Sequence, residues 1–536
     1  MLATTRRSAL VSALATTGLA AFGNKAMARE TGSVGAAVDK FALDVMAAFP
    51  DEPGLGIAVV ENGQVTLTKG YGVKRLGAPA KCDENTLFGI ASNTKAMTAA
   101  VIAMLVEEGK LEWDAPVTKY MPAFQMKDPV VTQLMTVRDL LVHRSGLTLG
   151  AGDLMIWPSP THTRADIVAG LKYLPIGGQF RGGYAYDNVL YVAAGVLIET
   201  VTGKSWEDNI QTRILTPLGM TDTVPTPSQV KDRSRRAEPH ARLGPPVRGL
   251  GPQTVLPYDG SFDAAAPAGG VNATPHDIAK WMQVQLGLGV AADGKRLWSE
   301  ASSKEMWKPQ TITASSEGPA PDTPTRPTIQ AYALGWFVQD HRGERILWHT
   351  GGLAGFISYT GLLPGRKSGI MVMTNAEEGA VLRSLRYGGP DRLQGRSDFD
   401  WIGYSKKLQA ENDAQTIKDA AKAVTPSSGA KPSLPLDAYA GVYRDPWYGT
   451  VTVAVSGKGK KQALTVSFDK TPLLRGKLEA FDGETFKTVF DDRTQEDAFF
   501  TFDLKDGKVV SALVKAVSPL ADFSYDYQDL RLAKVS

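Results

Sequence analysis

Four Ser-x-x-Lys tetrapeptides occur in the chain, at Ser92–Lys95, Ser228–Lys231, Ser428–Lys431 and Ser467–Lys470. A serine hydroxyl becomes a strong nucleophile only when a base takes its proton, and a lysine can be that base where an apolar setting disfavours its charge. The spacing alone selects none of the four, but their surroundings do. Ser428 lies in a Pro/Ser/Gly-rich stretch, Ser467 ends a strand-like run, and Ser228 has no apolar helix after it. Ser92 opens a helical pattern from about Asn93 to Glu108, with Met97, Val101, Met104 and Leu105 on one face and Gly109 as its stop. Residues three apart on a helix share a face, so Lys95 falls one turn beneath Ser92, and the helix N-terminus favours negative charge there.

Two further motifs carry chemistry. Tyr186-Asp187-Asn188 is the one Tyr-x-Asn in the chain and precedes a second helix, Asn188 to Val201, that stops at Gly203. A tyrosine can relay the serine proton, and an asparagine amide can orient both the lysine and a substrate carbonyl. Trp348-His349-Thr350-Gly351-Gly352 follows an apolar run, and its glycines let a substrate approach the backbone. The Gly352 N–H can pair with that of Ser92 as an oxyanion hole, each donor being worth about 2.7–4 kcal/mol. His341-Arg342-Gly343 reads instead as a hairpin tip. Trp157, Tyr184 and Trp336 are candidate cleft aromatics, and His143 reads as a structural hydrogen-bonder.

These motifs need a frame. Gly56–Glu61 and Gln64–Lys69, joined by Asn62-Gly63, predict a hairpin. A third helix starts at Thr274-Pro275-His276-Asp277, with a cap and a proline at its first position. Ser315 to Thr328 reads as a loop. Strands are expected at Ala333–Val338, Arg345–His349, Ile357–Leu363 and Gly369–Thr374, so strands from both ends of one α+β domain would share a sheet. A polar helix near 406–424 and a linker at 425–435 follow. Short strand-like runs from Tyr439 to Leu532, including Ser524–Leu530, then predict an all-β barrel or sandwich of about eight strands.

With these residues in view, the sequence resembles the penicillin-recognising serine hydrolases, on the branch of class C β-lactamases, D-aminopeptidases and related esterases. The segments that carry the resemblance begin at Phe88-GIASNTKAMTA, Thr136-VRDLLVHRSGL, Tyr184-AYDNVLYVAAGVLIE, Ile214-LTPLGMTDT and Pro267-AGGVNATPHDIAKW, with His349-TGG last. The resemblance implies an antiparallel sheet flanked by helices plus an all-helical region, followed by a C-terminal β domain found in bacterial relatives. It implies Ser92 as the acylated nucleophile, Lys95 and Tyr186 as the base pair, and Asn188, His349, Gly351 and Gly352 as substrate-binding residues. Which of Lys95 and Tyr186 takes the proton stays open. The departure is His349, where β-lactamases carry the lysine of Lys-Thr-Gly. A histidine is mostly neutral at pH 7, which weakens the case for substrates bearing a carboxylate. The expectation is therefore a cofactor-independent peptidase or amidase on small linear or D-residue-containing peptides. The alternatives are a carboxylesterase, a β-lactamase or D-Ala-D-Ala carboxypeptidase and, from another class, a non-catalytic binding protein.

Composition narrows the field. The 536 residues include a single cysteine, Cys82, so neither an intrachain disulfide nor a cysteine zinc site can form. The six histidines, at 143, 162, 240, 276, 341 and 349, show no ligand spacing, and no metal is expected. Residues 1–28 have a basic start (Arg6, Arg7), an apolar run from Ala9 to Phe22 and a small-x-small end at Ala26-Met27-Ala28, the pattern of an export signal of the twin-arginine kind. Removing Arg6, Arg7 and Lys25 leaves 56 basic residues against 56 acidic ones, with no electrostatic footprint for nucleic acid. The expected domains are a signal at 1–28, a hydrolase domain at 29–424, a linker at 425–435 and a β domain at 436–536. The expected partner is a small-molecule or peptide substrate, met in the periplasm or outside the cell, with no membrane span in the mature chain.

Overall fold

The computed structural model describes residues 33–245, 247–257, 262–313, 323–327, 329–457 and 462–536. The export signal expected at 1–28 lies outside the described residues, as does most of the loop expected at Ser315–Thr328. An eight-stranded antiparallel sheet forms the centre of the first unit. Its order is Gln64–Gly72, Gly54–Glu61, Ser368–Thr374, Phe356–Leu363, Glu344–Leu353, Phe337–His341, Gln330–Tyr332 and Thr311–Ile312. Strands from the two ends of the unit thus meet, with Leu55 opposite Thr374 and Val60 opposite Gly369. The Asn62-Gly63 hairpin forms as expected, with both residues at positive φ (51° and 80°) as a two-residue turn of this kind requires.

Both faces of the central strands are buried, which is why Gly54–Glu61 and Ser368–Thr374 read as nearly continuous apolar runs. Val34–Ala48 and Gly379–Leu393 cover one face through Val38, Phe41, Val381 and Leu385. The other face carries Pro275–Leu286, capped by the Thr274 hydroxyl, and beyond it the helical region built on Lys95–Glu107 and Val189–Thr202. Both of these helices are apolar nearly all round, so tertiary burial rather than one amphipathic face holds them.

Residues Gly441 to Lys534 form a closed barrel of eight antiparallel strands, the first pairing with the last through Tyr443 and Lys534. Closure leaves no free edge. Alternate residues such as Val451, Val453, Phe468, Phe486 and Phe500 fill its interior.

Three local expectations are corrected. Ala333–Val338 is not one strand. Ala333 to Trp336 is a tight turn closed by the Ala333 N–H on the Trp336 carbonyl, and strands end at Tyr332 and resume at Phe337. Gly335 makes the turn possible at φ 78°, where a Cβ would lie 2.8 Å from the Ala96 Cα. Ser524–Leu530 is not a strand either. Its alternating Tyr and Asp residues mimic a half-buried strand, but the segment is a loop with one 3-10 turn, Tyr527–Asp529, before the short last strand Arg531–Lys534. Finally, the helix expected from Asn93 is a 3-10 turn, Ala91–Thr94, running into the α-helix Lys95–Glu107.

Candidate active site

Ser92 lies in that 3-10 turn, and the residue before it is strained. Ala91 adopts a left-handed φ of 49°, which a non-glycine residue takes at a cost of roughly 1 kcal/mol. The turn is locked from behind by the sheet. Asn93 Nδ2 donates to Ser358 Oγ at 2.8 Å, and Ser358 Oγ donates to the Ile90 carbonyl at 2.8 Å. Gly351 of the strand Glu344–Leu353 fits against the same place, since a Cβ there would lie 2.3 Å from Ile90 O and 2.9 Å from the Ala91 Cβ.

Lys95 is fully buried and its Nζ has three neighbours: Ser92 Oγ at 3.0 Å, Asn188 Oδ1 at 2.8 Å and the Ala268 carbonyl at 2.9 Å. Burial pulls its pKa down to about 7, with Asp153 and Asp187 acting in the opposite direction. Once neutral, the amine can keep two donor bonds to Asn188 and Ala268 and turn its lone pair toward Ser92 Oγ. Tyr186 packs on the other side, its ring centroid 4.8 Å from Lys95 Nζ. Burial pushes this phenol well above its ordinary pKa, so it stays protonated near neutrality.

His349 is buried and neutral. Its Nδ1 lies 2.5 Å from Thr350 O, which can only accept, so the proton sits there and Nε2 accepts from the Tyr332 hydroxyl at 3.0 Å. Burial, then the Lys95 charge, lower its pKa to about 3. His143 is fully buried beneath Tyr186, ring centroids 4.2 Å apart, and its Nδ1 accepts the Asp187 N–H at 3.2 Å. Desolvation holds it neutral, in keeping with a structural role.

A cleft of about 560 Å³ opens over these groups, lined by Ser92, Tyr186, Asn188, His349 and Gly352. Nothing lies within 4 Å of where a Gly352 Cβ would be, so this strand position faces open space. Gly351 is absent from the lining; it seats the turn that holds Ser92 instead of facing the cleft. Of the candidate aromatics, Trp157 lines the cleft, Trp336 is core, and Tyr184 packs behind against His143 and Phe337. Phe262 and Phe337 add apolar surface. The barrel supplies a whole wall through Glu496, Leu520, Asp522, Phe523, Ser524 and Tyr525.

Sequence reasoning missed three contributors: Asp153, the Ala268 carbonyl and the barrel loop. Asp153 had a signal, as a lone acid in the small and apolar stretch from Gly150 to Ile156. Ala268 lies inside a recognised segment but acts through its backbone. The barrel loop had no local signal of its own.

Known proteins are similar to this architecture. Residues 43–388 match the beta-lactamase family, and residues 425–534 match a domain of unknown function (DUF3471). The unguisins hydrolase ungD of Aspergillus violaceofuscus is 29% identical over 475 residues, covering 81% of this chain and 79% of that protein. Its counterpart ungD' of Aspergillus campestris is 30% identical over 423 residues, covering 75% and 74%. The octameric penicillin-binding protein homologue of Pyrococcus abyssi shares the fold over 93% of this chain and 99% of its own, at TM-score 0.56 and 22% identity. The D-amino acid amidase of Ochrobactrum anthropi SV3, solved with D-phenylalanine, is 25% identical, with TM-score 0.53 over 70% of this chain and 99% of that one. With its sheet, helical region and Ser-x-x-Lys turn in one frame, this chain belongs to the beta-lactamase family of serine hydrolases and carries a C-terminal eight-stranded barrel.

Proposed function

We propose that the protein is an exported amidase or peptidase that works through an acyl-enzyme on Ser92. Lys95 in its neutral form takes the Ser92 proton as Oγ attacks the substrate carbonyl carbon. The Ser92 and Gly352 N–H groups receive the developing oxyanion. Tyr186, protonated throughout, relays a proton to the leaving nitrogen as the carbon–nitrogen bond breaks. Water then attacks the acyl carbon as Lys95 takes its proton, and that proton passes to Ser92 Oγ as the ester bond to the acyl carbon breaks and the acid product leaves. Lys95 serves as the base because burial brings its pKa to neutrality while driving Tyr186 away from it.

The observation that carries the substrate reading is the charge of the cleft. His349 is neutral, and Arg248, the other cationic side chain type among the described lining residues besides histidine, is paired with Glu377 at 2.5 Å. A substrate carboxylate finds no free cation there. This favours neutral or amine-bearing acyl compounds over β-lactams and C-terminal D-Ala peptides. The similarity to an amidase and to hydrolases named for unguisins supports amide chemistry. The basic and apolar segment at 1–28 supports export.

The test is a parallel turnover panel on the mature protein and its Ser92→Ala variant. A free-amine peptide amide, a blocked linear peptide, a short-chain aryl ester and a chromogenic cephalosporin are compared. Amide or peptide cleavage that disappears in the variant is expected. Ester turnover alone would move the assignment to an esterase, and dominant cephalosporin turnover would overturn the argument from charge.

A further inference from the structure

An asparagine amide can sit either way round. Turned over, Asn188 would point its NH2 at Lys95, a donor against a donor, and the amine would lose one of its acceptors. Asp153 holds the amide in the working orientation. Its Oδ2 accepts from Asn188 Nδ2 at 2.8 Å, while Asn188 Oδ1 faces Lys95. Asp153 is itself fully buried, and its Oδ1 has no hydrogen-bond partner among the described residues. Burial raises its pKa to about 7, and the few donors it has pull the other way, toward the ionised form. Asn188 is one of them, and the other is Ser524, whose hydroxyl donates to the same Oδ2 at 2.8 Å.

Ser524 belongs to the barrel, on the loop between the strands Lys508–Ala516 and Arg531–Lys534. The loop grips both neighbours of Asp153. Asp526 accepts the N–H groups of Gly152 and Leu154 at 2.6 and 2.9 Å, and Asp529 accepts the Thr148 hydroxyl at 3.1 Å. We propose that the barrel is a positioning element for the catalytic lysine: Ser524 fixes Asp153, Asp153 fixes the Asn188 amide, and Asn188 presents its oxygen to Lys95. The proposal rests on the Ser92–Lys95 reading and extends it to a domain whose family carries no assigned function.

The other titratable groups around this chain of bonds include Tyr186, Tyr191, Asp187 and His143 beside Lys95, His349 across from it, and Asp522 and Asp526 on the barrel loop. Removing the Ser524 hydroxyl favours the protonated acid at Asp153. That acid donates to Asn188 Oδ1 and turns the amide, and the loss of its negative charge lets Lys95 give up its proton at lower pH.

The test uses full-length protein and a fluorophosphonate probe. Phosphonylation of Ser92 is followed by intact mass from about pH 5 to about pH 10, with Ser92→Ala as blank and melting temperature as a folding control. Ser524→Ala is expected to slow labelling at the plateau by about tenfold and to move the acid limb to lower pH, with Asp153→Asn doing the same and Ser524→Thr restoring both. A Ser524→Ala profile that superimposes on the wild type, or falls uniformly with no shift and no recovery in Ser524→Thr, would overturn the proposal. Wild-type protein labelled no faster than Ser92→Ala would instead overturn the nucleophile assignment, and this inference with it. Labelled wild type beside an unmoved Ser524→Ala overturns this inference alone.

Discussion

Lys95 is surrounded by three oxygens that an ammonium could satisfy fully, yet burial brings its pKa down to about 7. A base must be deprotonated to act, so kcat/KM is expected to rise with pH through about 7 and level above it. Steady-state rates on a substrate that does not itself titrate in this range check this. A limb near pH 10 would mean that the base keeps an ordinary amine or phenol pKa, against a lysine tuned by burial. The residues of this site were legible in the sequence because their spacing is local. Ser92 and Lys95 share a turn, and Tyr186 and Asn188 stand two apart at the start of one helix. Asp153 was not legible, because its meaning comes from Ser524, 371 residues later in the chain.

At the scale of elements, the strand Glu344–Leu353 does two jobs with two adjacent glycines. Gly352 faces the cleft, and Gly351 lets the strand approach the turn that holds Ser92. Gly351→Ala places a methyl 2.3 Å from the Ile90 carbonyl, a backbone atom that cannot swing aside. Overpacking of this kind costs about 1–3 kcal/mol. Thermal unfolding should show that loss, and activity should fall further than stability because the strained Ala91–Ser92 backbone moves with it. A variant with wild-type kcat would show that the turn tolerates displacement. Element types were legible from alternation in most barrel strands, and in Lys95–Glu107 from a long apolar run ended by Gly109. Two turns escaped for the same reason. At Ala333–Trp336 and at Ser524–Leu530 the residues have strand-like composition, but tertiary contacts bend the backbone: Gly335 against Ala96 in one, Asp526 on the backbone of Gly152 and Leu154 in the other.

At the scale of the molecule, hydrolase unit and barrel meet around Glu496. This carboxyl is buried, one oxygen has no partner among the described residues, and burial raises its pKa to about 7. An acid whose folded pKa lies above its unfolded value binds its proton more tightly in the native state. The native protein therefore loses stability as pH climbs from the unfolded pKa near 4 to the folded one near 7, on the order of 3 kcal/mol for this shift. Glu496→Gln removes that titration. Its melting temperature should exceed that of the wild type increasingly between about pH 5 and about pH 8, and parallel curves would show that Glu496 does not titrate in this range. The sheet has a consequence of another kind. Gly54–Glu61 finds its second sheet neighbour only at Ser368–Thr374, His349 follows Ser92 by more than half the hydrolase unit, and Ser524 stands near the last strand of the barrel. A ribosome would have to deliver almost the entire polypeptide before Ser92, His349 and the cleft wall could stand together. The hydrolase is thus silent throughout its own synthesis, and its long-range strand pairing makes acquiring activity a late and slow event in folding.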